Sequence, residues 1–318
     1  MRKRFFLALI LTIFMGLLVG CGNSGNQPAG ESTGAAAQTD NSETKNAETK
    51  NAETKNAEPA GEAPAEGGAI QKIKDRGKLI VGVFSDKPPF GYVDEKGDFV
   101  GLDNELAKRF AKDLLGDESK IEFVTVEPAS RIPYLQSDKV DLIVANMTVT
   151  EERKQAVDFT NPNLKVATQV IVSDKSGIKT LADLKGKKII VTKGTTADLY
   201  LTENYPDVEL VKYEKNTESL QALADGRGDG YAQDNFILFA WAKKNPGFTV
   251  VPEKLEKEAP IAPAVKKGNT ELRDWVNQEL ELLAKEKFLL GLYDKYVKPE
   301  LGPDVDPYDV IVEGGTLV

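Results

Sequence analysis

The residues best equipped for chemistry lie in Thr148-Val149-Thr150-Glu151-Glu152-Arg153, which follows the apolar run Val140–Ala145 and Asn146-Met147. A strand that ends in hydroxyl residues and then opens a helix leaves backbone N–H groups pointing outward, ready for an anion. An arginine one turn into that helix adds a planar, permanently charged fork suited to a carboxylate. The same residues also describe a capped surface helix in which Arg153 pairs with its neighbouring glutamates. Taken alone that is the plainer reading, because most exposed charges are simply solvated. Thr195-Thr196, after Gly194, and Asp234, ahead of Asn235, each stand before an expected helix and read first as N-caps.

Other chemistries are excluded by composition. There is no histidine, so the commonest general base and metal ligand are missing. The one cysteine allows neither an internal disulfide nor a cysteine-based metal cluster. A net charge of -9 argues against nucleic acid and against a basic lipid-binding face. The 318 residues are enough for two domains with sizeable cores.

Met1-Arg2-Lys3-Arg4, the apolar run Phe5–Val19 and the ending Leu18-Val19-Gly20-Cys21 resemble a bacterial lipoprotein signal peptide, in which the cysteine is lipidated. Residues 1–20 are therefore expected to be removed and Cys21 to carry the anchor; the alternative is a membrane anchor with an incidental cysteine. One acyl chain anchors only marginally, so Cys21 is expected to be multiply acylated. Residues 21–69 are low in large apolar groups and repeat Glu-Thr-Lys-Asn. Such a stretch cannot bury enough surface to offset its ordering entropy and reads as a disordered tether.

From Ile70 onward strand and helix signals alternate. Strands are expected at Lys78–Phe84, Ile121–Val126 and Val140–Met147, with a rigid loop at Ser85–Phe90. Leu102, Leu106, Phe110 and Leu114 recur every fourth residue of a helix ended by Gly116, and a short helix at Ala129–Lys139 carries Arg131. Thr168–Ser173 leaves this first lobe for a second strand–helix series, which ends in an apolar helix at Asn235–Lys244. Ile261–Val265 returns to the first lobe, and Thr270–Val297 forms one or two helices with a break near Gly291. The alternation predicts largely parallel sheets in two α/β lobes with a cleft between them.

With these residues in view, the chain from Ile70 to its end resembles the bacterial family 3 solute-binding proteins, which bind polar amino acids for ABC transporters. The resemblance rests on Pro89-Phe90-Gly91-Tyr92, Gly101-Leu102-Asp103, Arg131-Ile132-Pro133, Thr148–Arg153 with Asp158-Phe159-Thr160, Leu181–Gly186 and Gly194-Thr195-Thr196. Residues 85–93, 193–198, 234–235, 239–241 and 261–268 are most similar to a cysteine-binding member. It implies a two-lobed periplasmic-binding-protein fold of type II: two α/β sandwich domains joined by a two-strand hinge. The first would comprise residues 70–167 and 260–318, the second 168–259.

The resemblance also implies the site. Arg153 would clamp an α-carboxylate, helped by Thr148, by backbone N–H groups near Asn146 and Thr148, and by Thr195 and Thr196 from the other lobe. Asp234 would take the α-ammonium. Arg131 would meet the ligand's side chain or hold an internal salt bridge. Lys87 replaces an aromatic ring that several relatives stack over the ligand, which suggests a small, polar ligand; Phe90 and Tyr92 would supply an apolar wall, Phe90 reading equally as core. The implied function is capture of L-cysteine by hinge closure and delivery to the permease and its cytoplasmic ATPase. Glutamate, aspartate, glutamine and cystine are the alternatives. The implied protein is a monomer, lipid-anchored outside the cell membrane (on the periplasmic side in a Gram-negative cell), with no cofactor or metal. The same fold hosts periplasmic dehydratases, but the expected cleft has one carboxylate, already committed to an ammonium, and no acid–base partner for it. A sensor is a third reading, against which no signalling domain is attached.

Overall fold

The computed structural model describes residues 68–315, so the expected signal peptide, Cys21 and nearly all of the tether lie outside the described residues. The first described helix, Ala69–Arg76, begins on the last residue assigned to the tether.

Two five-stranded sheets follow. The first has the order Ile121–Thr125, Leu79–Val83, Leu142–Ile143, Ala264–Lys266, Val157–Phe159. The second has the order Glu209–Tyr213, Lys188–Thr192, Gly230–Asp234, Thr168–Ser173, Phe248–Val250. Each is parallel over its first three strands and antiparallel beyond. Four strands of each sheet therefore run the same way, in line with the expectation of largely parallel sheets, and one strand of each is reversed. Thr168–Ser173 enters the second sheet, and Ala264–Lys266 the first, by crossing from the other lobe. Neither is fed by a right-handed helical crossover, and each runs against its neighbours.

Helix Leu102–Leu115 shows why the first lobe coheres. Leu102, Leu106, Phe110 and Leu114 are buried along one stripe, and Gly116 ends the helix in the left-handed conformation (φ 81°). Burying each such side chain contributes about 1.5–3 kcal/mol. Ser85–Phe90 is not a plain loop: Asp86–Lys87 pairs with Gly91–Val93, and that strand with Phe99–Val100. The C-terminal helix breaks at Lys287 (φ 54°), ahead of the expected Gly291.

The lobes are joined by a two-stranded antiparallel ribbon, Leu164–Val166 with Ala259–Ile261. The chain end reinforces it, since Lys165 N–H donates to the Val310 carbonyl at 2.9 Å and Val312 N–H to that of Asn163 at 2.9 Å. Helix Asn235–Lys244 seals the back of this hinge, with Phe236 and Ile237 in the first lobe's core and Leu238 in the second lobe's.

Candidate functional site

Between the lobes, beside the hinge, lies a small cavity lined by Lys87, Arg131, Asn146, Thr148, Arg153, Thr195, Thr196, Gln233 and Asp234. First-lobe strand ends and second-lobe strand ends face each other across it. This follows from the fold, because in open α/β sheets the crevice lies at the carboxyl ends of the strands.

On the first side, Leu142–Ile143 runs out into Asn146, whose backbone turns left-handed (φ 43°), a conformation asparagine tolerates better than most residues. The Asn146 N–H donates to Asp103 Oδ2 at 2.9 Å. That N–H is therefore spent within the protein, which corrects the expectation that it meets the ligand's α-carboxylate. The side chain of Asn146 instead crosses the cleft, and its Nδ2 donates to Asp234 Oδ2 at 2.5 Å. Thr148 is bridged to Ile261 of the returning chain. Its carbonyl accepts from Arg153 Nη1 at 2.7 Å.

The two arginines are engaged to different degrees. A guanidinium has five N–H donors. Arg131 donates Nε to the Pro128 carbonyl, Nη1 to those of Ala145 and Asn146, and Nη2 to Gly194, at 3.0 to 3.3 Å. One donor remains. Arg153 donates only to the carbonyls of Thr148 and Gly194, so three remain. Among the described residues no carboxylate pairs with Arg131, so the internal salt bridge weighed from the sequence is replaced by a cage of carbonyls. Burial depresses the pKa of both groups: Arg131 strongly, with Arg153 adding repulsion, and Arg153 against the attraction of Asp234.

On the second side, Thr195 caps helix Thr196–Asn204, accepting from Asp198 N–H at 3.2 Å and donating to the Thr192 carbonyl at 2.7 Å. The Thr195 hydroxyl is thus occupied. The Thr196 and Ala197 N–H groups are left at the helix's positive end. Asp234 makes no cap bond to the helix after it. Its carboxylate is buried and faces the first lobe. Burial raises its pKa, while Lys87, the Asn146 bond and the two arginines pull it down.

Phe90 and Tyr92 are not brought to the cavity. Phe90 is fully buried in the first lobe's core, and half-buried Tyr92 lies on the strand beyond it. The lining is instead almost wholly polar. Residue types did not point to Gln233, whose Nε2 donates to the Tyr231 hydroxyl at 2.8 Å and whose Oε1 accepts the Asp234 N–H at 3.0 Å. Nor did they point to the Gly194 carbonyl, since a backbone oxygen carries no residue signal. Among the described residues no group of three His, Cys, Asp or Glu is placed to hold a metal.

This arrangement can neutralise a carboxylate at Arg153 and an ammonium at Asp234 in one small, closed space. Comparison with known proteins agrees with that chemistry. Residues 79–299 match the bacterial extracellular solute-binding proteins, family 3. The ABC transporter glutamine-binding protein GlnH of Bacillus subtilis (strain 168) is 33% identical over 302 residues, 94% of this chain and 99% of that protein. The crystal structure of the cysteine-binding protein from Campylobacter jejuni is similar at 48% identity and a TM-score of 0.76, covering 77% of this chain and 99% of that one. The solute receptor for L-cysteine of Neisseria gonorrhoeae is similar at 48% identity and a TM-score of 0.75, with the same coverage.

Proposed function

Since this chain belongs to the bacterial extracellular solute-binding proteins of family 3 and acts outside the cytoplasm as the amino acid-binding component of an ABC transporter, we propose that its ligand is L-cysteine, held by lobe closure and passed to the permease. The observation that carries this reading is the unequal engagement of the two arginines around one small, polar cavity. Arg153 retains a bidentate fork for the α-carboxylate, with Thr148 and the N-terminus of helix Thr196–Asn204 beside it. Asp234 takes the ammonium.

The space beyond is short and polar. The whole cavity leaves room for about one water. A side-chain carboxylate, as in aspartate or glutamate, would want a second fork, and Arg131 has given four of its five donors to carbonyls. A thiol needs only one partner. The cysteine receptors, at 48% identity, favour the same ligand. Glutamine is the second reading, carried by the relative that spans 94% of this chain.

Closure is taken as movement of residues 70–167 with 260–318 against 168–259. A ligand that touches both sides stabilises the closed state by those differential contacts. The chain is further read as a monomer held at the membrane through acylated Cys21. The succession of a basic segment, an apolar run and a cysteine along residues 1–21 supports the anchor. The intact mass of the mature protein tests it: loss of residues 1–20 and added acyl mass are expected, whereas an unmodified Cys21 would remove the anchor.

Thermal unfolding against a panel of amino acids, in reducing buffer, tests the ligand. Because binding to the native state alone raises stability, L-cysteine is expected to give the largest rise in Tm. A larger rise with glutamine would replace cysteine by glutamine.

A further inference from the structure

We propose that Lys87 reads the ligand's side chain, its Nζ forming the one hydrogen bond that distinguishes a thiol from other small side chains. The proposal rests on the cysteine reading and assigns that site its specificity-determining residue.

Lys87 lines the cavity and is 2% exposed. Its backbone is fixed by pairing with Gly91. Among the described residues its Nζ has no hydrogen-bond acceptor and no carboxylate within ion-pair distance; the amine sits 3.9 Å from the centroid of the Phe84 ring. A buried amine in this state lacks the hydrogen-bond acceptors it would have in water. Every other polar side chain named in the lining carries at least one protein hydrogen bond, except Thr148, which sits on the Arg153 side. Lys87 thus joins Thr148 as a lining side chain with no protein hydrogen bond, beside the spare donors of the two arginines and the unpartnered Asn146 Oδ1.

The chemistry of the partner follows. Arg131 lies over the same Phe84 ring at 5.6 Å, so cationic side chains meet two like charges there. Burial first, then Arg131, pull the lysine pKa down to about 8, against Asp86, Asp234 and Glu127. An ordinary thiol titrates at about 8.5. Amine and thiol are thus matched in acidity, and one proton shared between them serves either as S–H to N or as N–H to S⁻. A serine hydroxyl, far less acidic, offers only the neutral bond, and alanine offers none.

The test is calorimetry in reducing buffer with L-cysteine, L-serine and L-alanine on wild type, Lys87→Met and Lys87→Gln. Lys87→Met keeps the volume and removes a buried polar group, and Lys87→Gln keeps a donor. Wild type is expected to prefer L-cysteine. Lys87→Met is expected to lose about tenfold or more in L-cysteine affinity, the scale of one hydrogen bond to a charged group, while L-alanine changes little. Lys87→Gln should recover part of the loss. An equal loss for all three ligands in both variants would overturn the assignment, because Lys87 would then serve closure or the shared backbone groups. Unchanged L-cysteine affinity in Lys87→Met would overturn it as well. Wild type that does not prefer L-cysteine among the three would overturn the ligand reading and this proposal with it.

Discussion

Arg153 in one lobe donates its Nη2 to the carbonyl of Gly194 in the other, at 3.0 Å. Arg131 reaches the same oxygen with its own Nη2 at 3.3 Å. The group proposed to hold the ligand's carboxylate therefore also holds the lobes together, so that ligand binding and closure would share one residue. Gly194 makes the approach feasible in two ways. Its φ of 74° is left-handed, and a Cβ there would lie 2.7 Å from the Ala129 backbone of the facing lobe. The first constraint applies in any state; the second applies only when the cleft is shut.

Gly194→Ala separates them. The left-handed backbone should lower stability by about 1–2 kcal/mol whether or not ligand is present. The collision with Ala129 should oppose closure by a further 1–3 kcal/mol or so, weakening ligand binding by about fivefold or more. Unfolding of the free protein and calorimetry of the complex read the two effects apart. Affinity equal to wild type would mean that Ala129 yields.

Arg153→Ala should cost about 2–5 kcal/mol of binding, or about thirtyfold and upward, since the ligand's carboxylate would be left without its cation. Arg153→Lys should restore little, because an ammonium cannot reproduce the fork. Ligand titration of the two variants checks both expectations.

A second tie across the cleft lies away from the cavity. The Asp86 carbonyl accepts from Asn216 Nδ2 at 3.0 Å, and its carboxylate accepts from Thr217 N–H at 3.1 Å, at the start of helix Asn216–Ala224. One lobe thus supplies a cap to a helix of the other. Asp86→Ala should remove about 1 kcal/mol from the closed state only. Stopped-flow kinetics should show dissociation faster by about fivefold, an unchanged association rate and an unaltered Tm for the free protein.

Asp103 gives a pH signature. Burial raises its pKa from 3.8 to about 6, against the bonds from Asn146 N–H and Asn163 and the charge of Lys87, the charged group that faces it. The folded state therefore binds this proton more tightly than the unfolded state. Its contribution to stability is full below about pH 4 and is lost as pH rises through 6, a change on the order of 3 kcal/mol. The difference between wild type and Asp103→Asn in urea unfolding from pH 4 to pH 7 should show that slope. A flat difference would mean that Asp103 is not so raised.

The site was legible in the sequence where its residues sit at strand ends with a type that suits the ligand. Arg153, Thr148, Thr196 and Asp234 all converge on the cavity. What escaped was whatever depends on a partner distant in the chain. The Asn146 N–H was committed to Asp103, 43 residues away, and the Gly194 carbonyl was claimed by two arginines. Phe90 and Tyr92 follow the first strand in a pattern that fits a ligand wall, yet Lys87 pairs with Gly91 and Phe90 enters the core. In the sheets, alternation of strand and helix foretold the parallel strands. It could not foretell the one reversed strand in each sheet, which arises where the chain crosses between lobes.

The most direct test of the account is calorimetric titration of the wild-type protein with L-cysteine, L-glutamine, L-aspartate and L-cystine at equal concentration, with L-cystine in non-reducing buffer and the others in reducing buffer. The account predicts one L-cysteine per chain at a Kd near micromolar, about −8 kcal/mol, with each competitor at least tenfold weaker. Tighter binding of L-glutamine, or no binding of L-cysteine, would contradict it.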